Sequence, residues 1–324
     1  MIRQLKYTFL ILTLNILFIN CSFAAITNLS SPLDTTTGNN TPTGIYFSND
    51  GSKVFVLGSN GNGGDRDSII EYSLSTAYDV STASGTTQSL IVDGGMGSVL
   101  GFTSLHPFGL TFNGDGSKVY VADGNLDKIF EITLGSNFDL TSSATHTGTL
   151  NTDVSNGSDT PCGLTFNNDG SKLFLAGFAD QEIVYWSLST DYDIDTEGSA
   201  NFFDLTPYKT ASHFKPRDVD FNSDGTRMYV VDFNSDRIVI FKLDNAFDLS
   251  SGVTELGSID TSSIDAQTFS SEFNSDGTKF YTIGYGNVID DDVGDDIDEF
   301  SVSPAYALVP TLSSSSPADN ATGI

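Results

Sequence analysis

Apolar residues along this chain fall into short alternating bursts, with no helical stripe of useful length after residue 25. Typical bursts are Val54-Phe55-Val56, Val119-Tyr120-Val121, Ile183-Val184-Tyr185-Trp186 and Ile238-Val239-Ile240-Phe241. Runs rich in β-branched and aromatic residues, bounded by Gly, Pro, Asn, Asp and Ser, predict short strands. One phrase recurs five times: an aromatic, two small residues, Asp-Gly, a hydroxyl residue, a base, then an apolar run. It starts at Phe47, Phe112, Phe166, Phe221 and Phe273. The aspartates are Asp50, Asp115, Asp169, Asp224 and Asp276, spaced 65, 54, 55 and 52 residues apart. The glycine after each supplies the positive φ of a tight hairpin, so each phrase predicts strand, hairpin, strand.

The surroundings of the phrase repeat as well. Upstream lies Pro-x-Gly-apolar, as in Pro42-Thr43-Gly44-Ile45, Pro107-Phe108-Gly109-Leu110 and Pro161-Cys162-Gly163-Leu164. Proline suits a strand's first residue, and glycine lets backbones approach near a crowded axis. Downstream comes a third apolar run, then an aromatic-Asp-apolar turn at Tyr78-Asp79-Val80, Phe138-Asp139-Leu140, Tyr192-Asp193-Ile194 and Phe247-Asp248-Leu249. A weaker fourth run follows in four of the five copies. Repeats of about 50 residues built from four short strands predict blades. The expected fold is all-β: a five-bladed β-propeller of four-stranded antiparallel blades over residues 25–308. The fifth repeat lacks a fourth strand and the N-terminus has a spare one, so residues 26–31 are expected to close the last blade.

Composition adjusts this picture at the two ends. Arg3 and Lys6 precede the apolar stretch Phe9 to Ile19, and Ser22-Phe23-Ala24 supplies small residues. Residues 1–24 read as a secretory signal cleaved after Ala24, which makes the protein secreted or displayed at the cell surface. Cleavage would take the formal net charge from −28 to −30. So acidic a surface repels nucleic acid and anionic membranes. Cys162 is then the one cysteine left, which leaves no intramolecular disulfide.

The phrase F-[NS]-x-D-G-[ST]-[KR] with its apolar run resembles the blade hairpin of secreted bacterial propellers, the TolB-like and the YVTN or lactonase-like families. The resemblance covers residues 42–308. It implies a propeller, and it implies no single activity, because those families host binding proteins and several enzymes. Residues 309–324 (V-P-T-L-S-S-S-S-P-A-D-N-A-T-G-I) resemble the opening of a bacterial Ig-like domain, so they are expected to be a linker and the start of a further module.

Candidate chemistry is sought where the repeat is broken. The bases Lys53, Lys118, Lys172, Arg227 and Lys279 occupy one position in every repeat and are assigned to the scaffold. Loops entering the innermost strands carry His106, Asp159, His213, Lys215 and Arg217. In the fourth repeat, Pro216-Arg217-Asp218-Val219-Asp220, an aspartate replaces the glycine. His106, His213, Lys215, Arg217 and Asp218 form the candidate ligand site, with cationic chemistry suited to a carboxylate or sulfate. Asp67, Asp127, Asp236 and Asp295 each lie two residues before a third strand. Together with the acidic run from Asp290 they are the candidate Ca²⁺ ligands, because hard cations take clustered carboxylate oxygens. No other cofactor is called for. Three histidines, no G-x-S-x-G and no His/Cys cluster argue against serine-type or zinc chemistry. The expected function is non-catalytic binding or adhesion to an extracellular protein or glycan by a monomeric propeller. The alternative is a glycosidase- or lactonase-like hydrolase using Asp159, Asp218 and Asp220 at the channel mouth.

Overall fold

The hairpin phrases and apolar bursts become strands at the expected places. The computed structural model describes residues 27–28, 33–35, 41–59, 67–92, 99–101, 106–153, 160–262, 264–287 and 296–308. The signal segment, residues 309–324, Asp159, Asp295 and the acidic run 290–295 lie outside the described residues. Two short strands open the chain, β1 (Thr27–Asn28) and β2 (Leu33–Asp34). Blade one is β3 (Thr41–Phe47), β4 (Lys53–Ser59), β5 (Ser68–Leu74) and β6 (Ala83–Ile91). Blade two is β7 (Pro107–Phe112), β8 (Lys118–Asp123), β9 (Lys128–Leu134) and β10 (Ala144–Asn151). Blade three is β11 (Pro161–Phe166), β12 (Lys172–Gly177), β13 (Glu182–Ser187) and β14 (Asn201–Asp204). Blade four is β15 (Pro216–Phe221), β16 (Arg227–Asp232), β17 (Arg237–Leu243) and β18 (Val253–Asp260). Blade five takes β19 (Asp265–Phe273), β20 (Lys279–Asn287) and β21 (Asp296–Ser301) from the C-terminal side.

Each blade is an antiparallel sheet in chain order, and the fifth is completed by the N-terminus. Thr27 and Asn28 pair with Ser301 and Phe300, while Leu33 and Asp34 pair with Ile297 and Asp296. The closing segment thus runs to Asp34, a little beyond the expected residues 26–31. The innermost strands β3, β7, β11, β15 and β19 contact one another in sequence, and β19 contacts β3, so the ring is shut. Closure leaves no long bare edge at the seam.

The repeated side chains bolt neighbouring blades together. The turn aromatics Tyr78, Phe138, Tyr192, Phe247 and Tyr306 all adopt positive φ, and each ring lies over the hairpin glycine of its own blade. Their carbonyls then accept from the hairpin base of the neighbouring blade: Lys53 Nζ to Phe138, Lys118 to Tyr192, Lys172 to Phe247, Arg227 to Tyr306 and Lys279 to Tyr78. The last of these crosses the seam between blade five and blade one. Glu71, Glu131 and Glu299 pair with Lys53, Lys118 and Lys279 at 2.6–2.8 Å. Glu71 and Glu299 also accept the backbone N–H of Leu140 and Val80 in the next blade. The assignment of the five bases to the scaffold is explained: each serves an interface.

The hairpin and turn aspartates do local work. Asp50 Oδ1 accepts the N–H and hydroxyl of Ser52 at 2.9 and 2.8 Å, and Asp115, Asp169, Asp224 and Asp276 repeat the backbone bond at 2.9–3.0 Å. Hydrogen bonds from the residue two positions on hold all five carboxyls below the usual carboxylate range. Asp79, Asp139, Asp193 and Asp248 close their turns the same way.

Candidate functional site

The innermost strands present side chains to the central channel at two levels, one near each end. Residue x of the Pro-x-Gly pattern marks the first level, with Phe108, Arg217 and, in the equivalent place of blade five, Phe269 meeting there, while Cys162 is packed in the core and Thr43 donates to the Leu57 and Pro107 carbonyls. The residue just before the hairpin aromatic supplies the second: Tyr46, Thr111, Thr165, Asp220 and Glu272. Successive side chains of a strand alternate, so positions three apart on a bulged strand can both face the axis. Each innermost strand does carry a register shift between the two levels, for example between Pro42 and Gly44 and between Pro216 and Asp218.

Between these levels the channel narrows to a neck of about 30 Å³, bordered by Gly109, Leu110, Leu164, Asp218 and Ser271. The glycines are required here. A Cβ on Gly109 would lie 2.7 Å from the Gly163 Cα, and one on Gly163 would lie 2.6 Å from the Asp218 Cα. Asp218 stands where blades one to three have glycine and blade five has Ser270, and it is buried. Its Oδ2 accepts from Ser270 Oγ at 2.6 Å and Ser271 N at 2.9 Å, and its Oδ1 accepts Val219 N at 2.9 Å. Burial pushes its pKa up to about 6, and those three bonds oppose the rise. Asp218 is therefore tied into the seam between blades four and five.

On the hairpin side of the neck the channel widens into a cavity of about 360 Å³. Tyr46, Thr111, Thr165, Asp220 and Glu272 form its floor. Asn49, Asn168, Ser223, Ser275, Tyr192 and Tyr306 stand at its rim. Asp220 and Glu272 come from adjacent strands β15 and β19. Burial raises Asp220 to about 7, helped by the neighbouring Asp218. Burial also lifts Glu272 well above the carboxylate range, with Asp220 and then Asp218 adding like charge. Like charge nearby adds to burial, so both carboxyls favour the protonated form more than a free carboxyl does. Burial, with Glu272 next, keeps the Tyr46 phenol neutral as a hydrogen-bond donor. Such a floor offers two carboxyls of raised pKa and several hydroxyls to one cavity.

The other predicted residues are scattered. His106 and His213 are exposed; His106 donates its backbone N–H to Asp123 Oδ2 at 2.5 Å, and the His213 ring meets Ser212 Oγ. Lys215 Nζ lies 4.5 Å over the Phe178 ring and donates to the Phe178 carbonyl. Arg217 reaches the entry end of the channel, where it and Lys215 share Phe178. These residues sit at the opposite end of the inner strands from Asp220, and Asp218 faces neither end. Asp67, Asp127 and Asp236 occupy equivalent positions in blades one, two and four, where their carbonyls accept Val92, Thr152 and Thr261 N–H. Asp236 has Asp260 and Asp232 as acidic neighbours, and the fourth candidate, Asp295, lies outside the described residues. Among the described residues, no group of three His, Cys, Asp or Glu gathers as a metal site.

Glu272 was missed from the sequence, although a signal existed. Aligned on the hairpin aromatic, the preceding residue reads Tyr, Thr, Thr, Asp, Glu in blades one to five. Acids at that position in two consecutive blades come to one depth of the channel, because the inner strands of consecutive blades lie side by side.

Residues 103–261, a little under half of the chain, match the family model described as "Lactonase, 7-bladed beta-propeller". That segment spans blades two to four and includes Asp220. The structure has five blades where that description has seven. No curated protein matches the chain. Among solved structures, the Pseudomonas aeruginosa periplasmic gluconolactonase aligns at 14% identity over 81% of this chain and 70% of its own, with a TM-score of 0.42. A Lactobacillus plantarum protein aligns at 14% identity over 89% of this chain and 96% of its own, with a TM-score of 0.46. Likeness at that level carries nothing about chemistry.

Proposed function

We propose that this protein is an exported hydrolase that opens the cyclic ester of a polyhydroxylated compound in the hairpin-side cavity. The observation that carries the reading is the Asp220–Glu272 pair, two carboxyls with raised pKa values on one cavity floor. The lactonase-model match to the segment holding Asp220 supports it. Asp220, as carboxylate, takes a proton from water while the water oxygen attacks the ester carbonyl. The ring C–O bond then breaks, and Glu272, as carboxylic acid, protonates the departing oxygen. In this reading the Tyr46, Thr111 and Thr165 hydroxyls, which line the cavity, hydrogen-bond the substrate and the developing oxyanion. Among the described residues, the cavity's lining contains no Lys, Arg or His, which suits an uncharged substrate.

The test is a pH-stat assay of the purified protein on an aldono-1,5-lactone. The expected rate exceeds buffer hydrolysis, rises with pH as Asp220 ionises near 7, and falls roughly 100-fold or more in Asp220→Asn and Glu272→Gln. A rate equal to buffer, or variants as fast as the parent, would overturn the proposal. A glycan-binding reading draws on the same cavity, since its rim joins Tyr192 and Tyr306 to the amides of Asn49 and Asn168. Saturable binding of a neutral saccharide without turnover would favour that reading.

A further inference from the structure

Arg217 is the anomaly of the entry end. Its guanidinium carbon lies 4.1 Å from the Phe108 ring centroid, 4.7 Å from Phe269, 5.2 Å from Phe233 and 5.3 Å from Phe178. The four rings come from blades two to five, so the box exists only where those four blades are assembled side by side. Aromatic faces stabilise the cation without consuming its N–H donors. One nitrogen, Nη1, donates weakly to Cys162 Sγ at 3.4 Å. Nε is buried with no hydrogen-bond partner among the described residues. Neither Arg217 nor Lys215, which shares the Phe178 ring, enters any of the ion pairs found among the described residues. Arg237 on the same blade shows the usual solution, a salt bridge to Asp232 at 3.1 Å.

A guanidinium has five donors in a flat fork, matched to the two oxygens of a carboxylate or phosphate. Here four aromatic rings crowd the fork, its donors other than Nη1 have no partner among the described residues, and Arg217 is half-buried, as are Phe108, Phe178 and Phe233. In a chain of net charge −28, a guanidinium outside every ion pair found among the described residues is a local exception; an acid close to the pair, Asp232, accepts the Lys215 backbone N–H at 3.0 Å and is itself bridged to Arg237. We infer that Arg217, seated in its aromatic box and flanked by Lys215, binds an oxyanionic group of a ligand at the entry mouth of the channel. This site is separate from the Asp220–Glu272 cavity, because the neck at Gly109, Gly163 and Asp218 stands between them.

The experiment is isothermal titration of the full chain with two probes, D-gluconate for the carboxylate and inorganic phosphate for the phosphate. At least one is expected to bind saturably at one site, with affinity reduced tenfold or more in Arg217→Gln and less in Lys215→Gln. Asp220→Asn and Glu272→Gln should leave that affinity unchanged, which keeps this result distinct from the fate of the proposed hydrolase. Arg217→Lys retains charge and loses the fork; it serves if Arg217→Gln melts early, and it too should weaken binding. No saturable binding of either probe, or binding indifferent to both Arg217 variants, overturns the inference.

Discussion

At the scale of single residues, the channel carboxyls and the hairpin carboxyls respond to pH in opposite senses. Asp220, at about 7, and Glu272 are raised in the folded state chiefly by burial. A raised carboxyl favours folding while protonated, so its contribution is complete below the unfolded value near 4 and is lost as pH climbs through the folded value. The hairpin aspartates are depressed, so their contribution holds above about 4 and is lost on acidification below it. Stability is therefore expected to peak in mildly acidic solution and decline from pH 5 to 8. Asp220→Asn should flatten that decline by on the order of 1–2 kcal/mol at pH 8, after allowance for its partial exposure. Parallel pH–melting curves for parent and variant would refute it. Asp218 shows how a departure from the repeat can be structural: it replaces glycine, and its oxygens bind Ser270, Ser271 and Val219.

At the scale of elements, the joint that matters is the last one. Blade five borrows β1 and β2 from the other end of the chain, and Lys279 and Glu299 carry the interblade bonds across to Tyr78 and Val80. Deleting residues 25–35 removes the outer strand and leaves β21 with an open edge. The truncated chain is expected to melt roughly 5–10 °C lower, in a scan that is no longer a single cooperative step. A peptide of residues 25–35 added in trans should restore part of the loss. An unchanged melting temperature would show that closure rests elsewhere. This joint was legible in the sequence, because four repeats have a fourth run and the fifth does not. Its extension to Leu33–Asp34 was not, since two-residue pairings leave no pattern.

For the whole molecule, the dominant global term is charge. A chain at −28 repels itself, and salt screens that repulsion over about 10 Å at 0.1 M. Raising NaCl from 0.05 to 1 M is expected to lift the melting temperature by roughly 5 °C; a fall would mean that the interblade ion pairs outweigh the net repulsion. The sequence by itself determined the blade count, the strand order, the hairpins, the scaffold role of the repeated bases and the mode of closure. All of these are set by local turn chemistry and by a period that each repeat states again. Only the tertiary structure decided what the odd residues do. Arg217, Asp218 and Asp220 are neighbours in the chain, yet one enters an aromatic box, one a blade seam and one a cavity shared with Glu272. The physical reason is that a ring brings five distant positions to one axial height. A side chain's electrostatic and packing environment there is set by the other four blades, and no local stretch of sequence contains it.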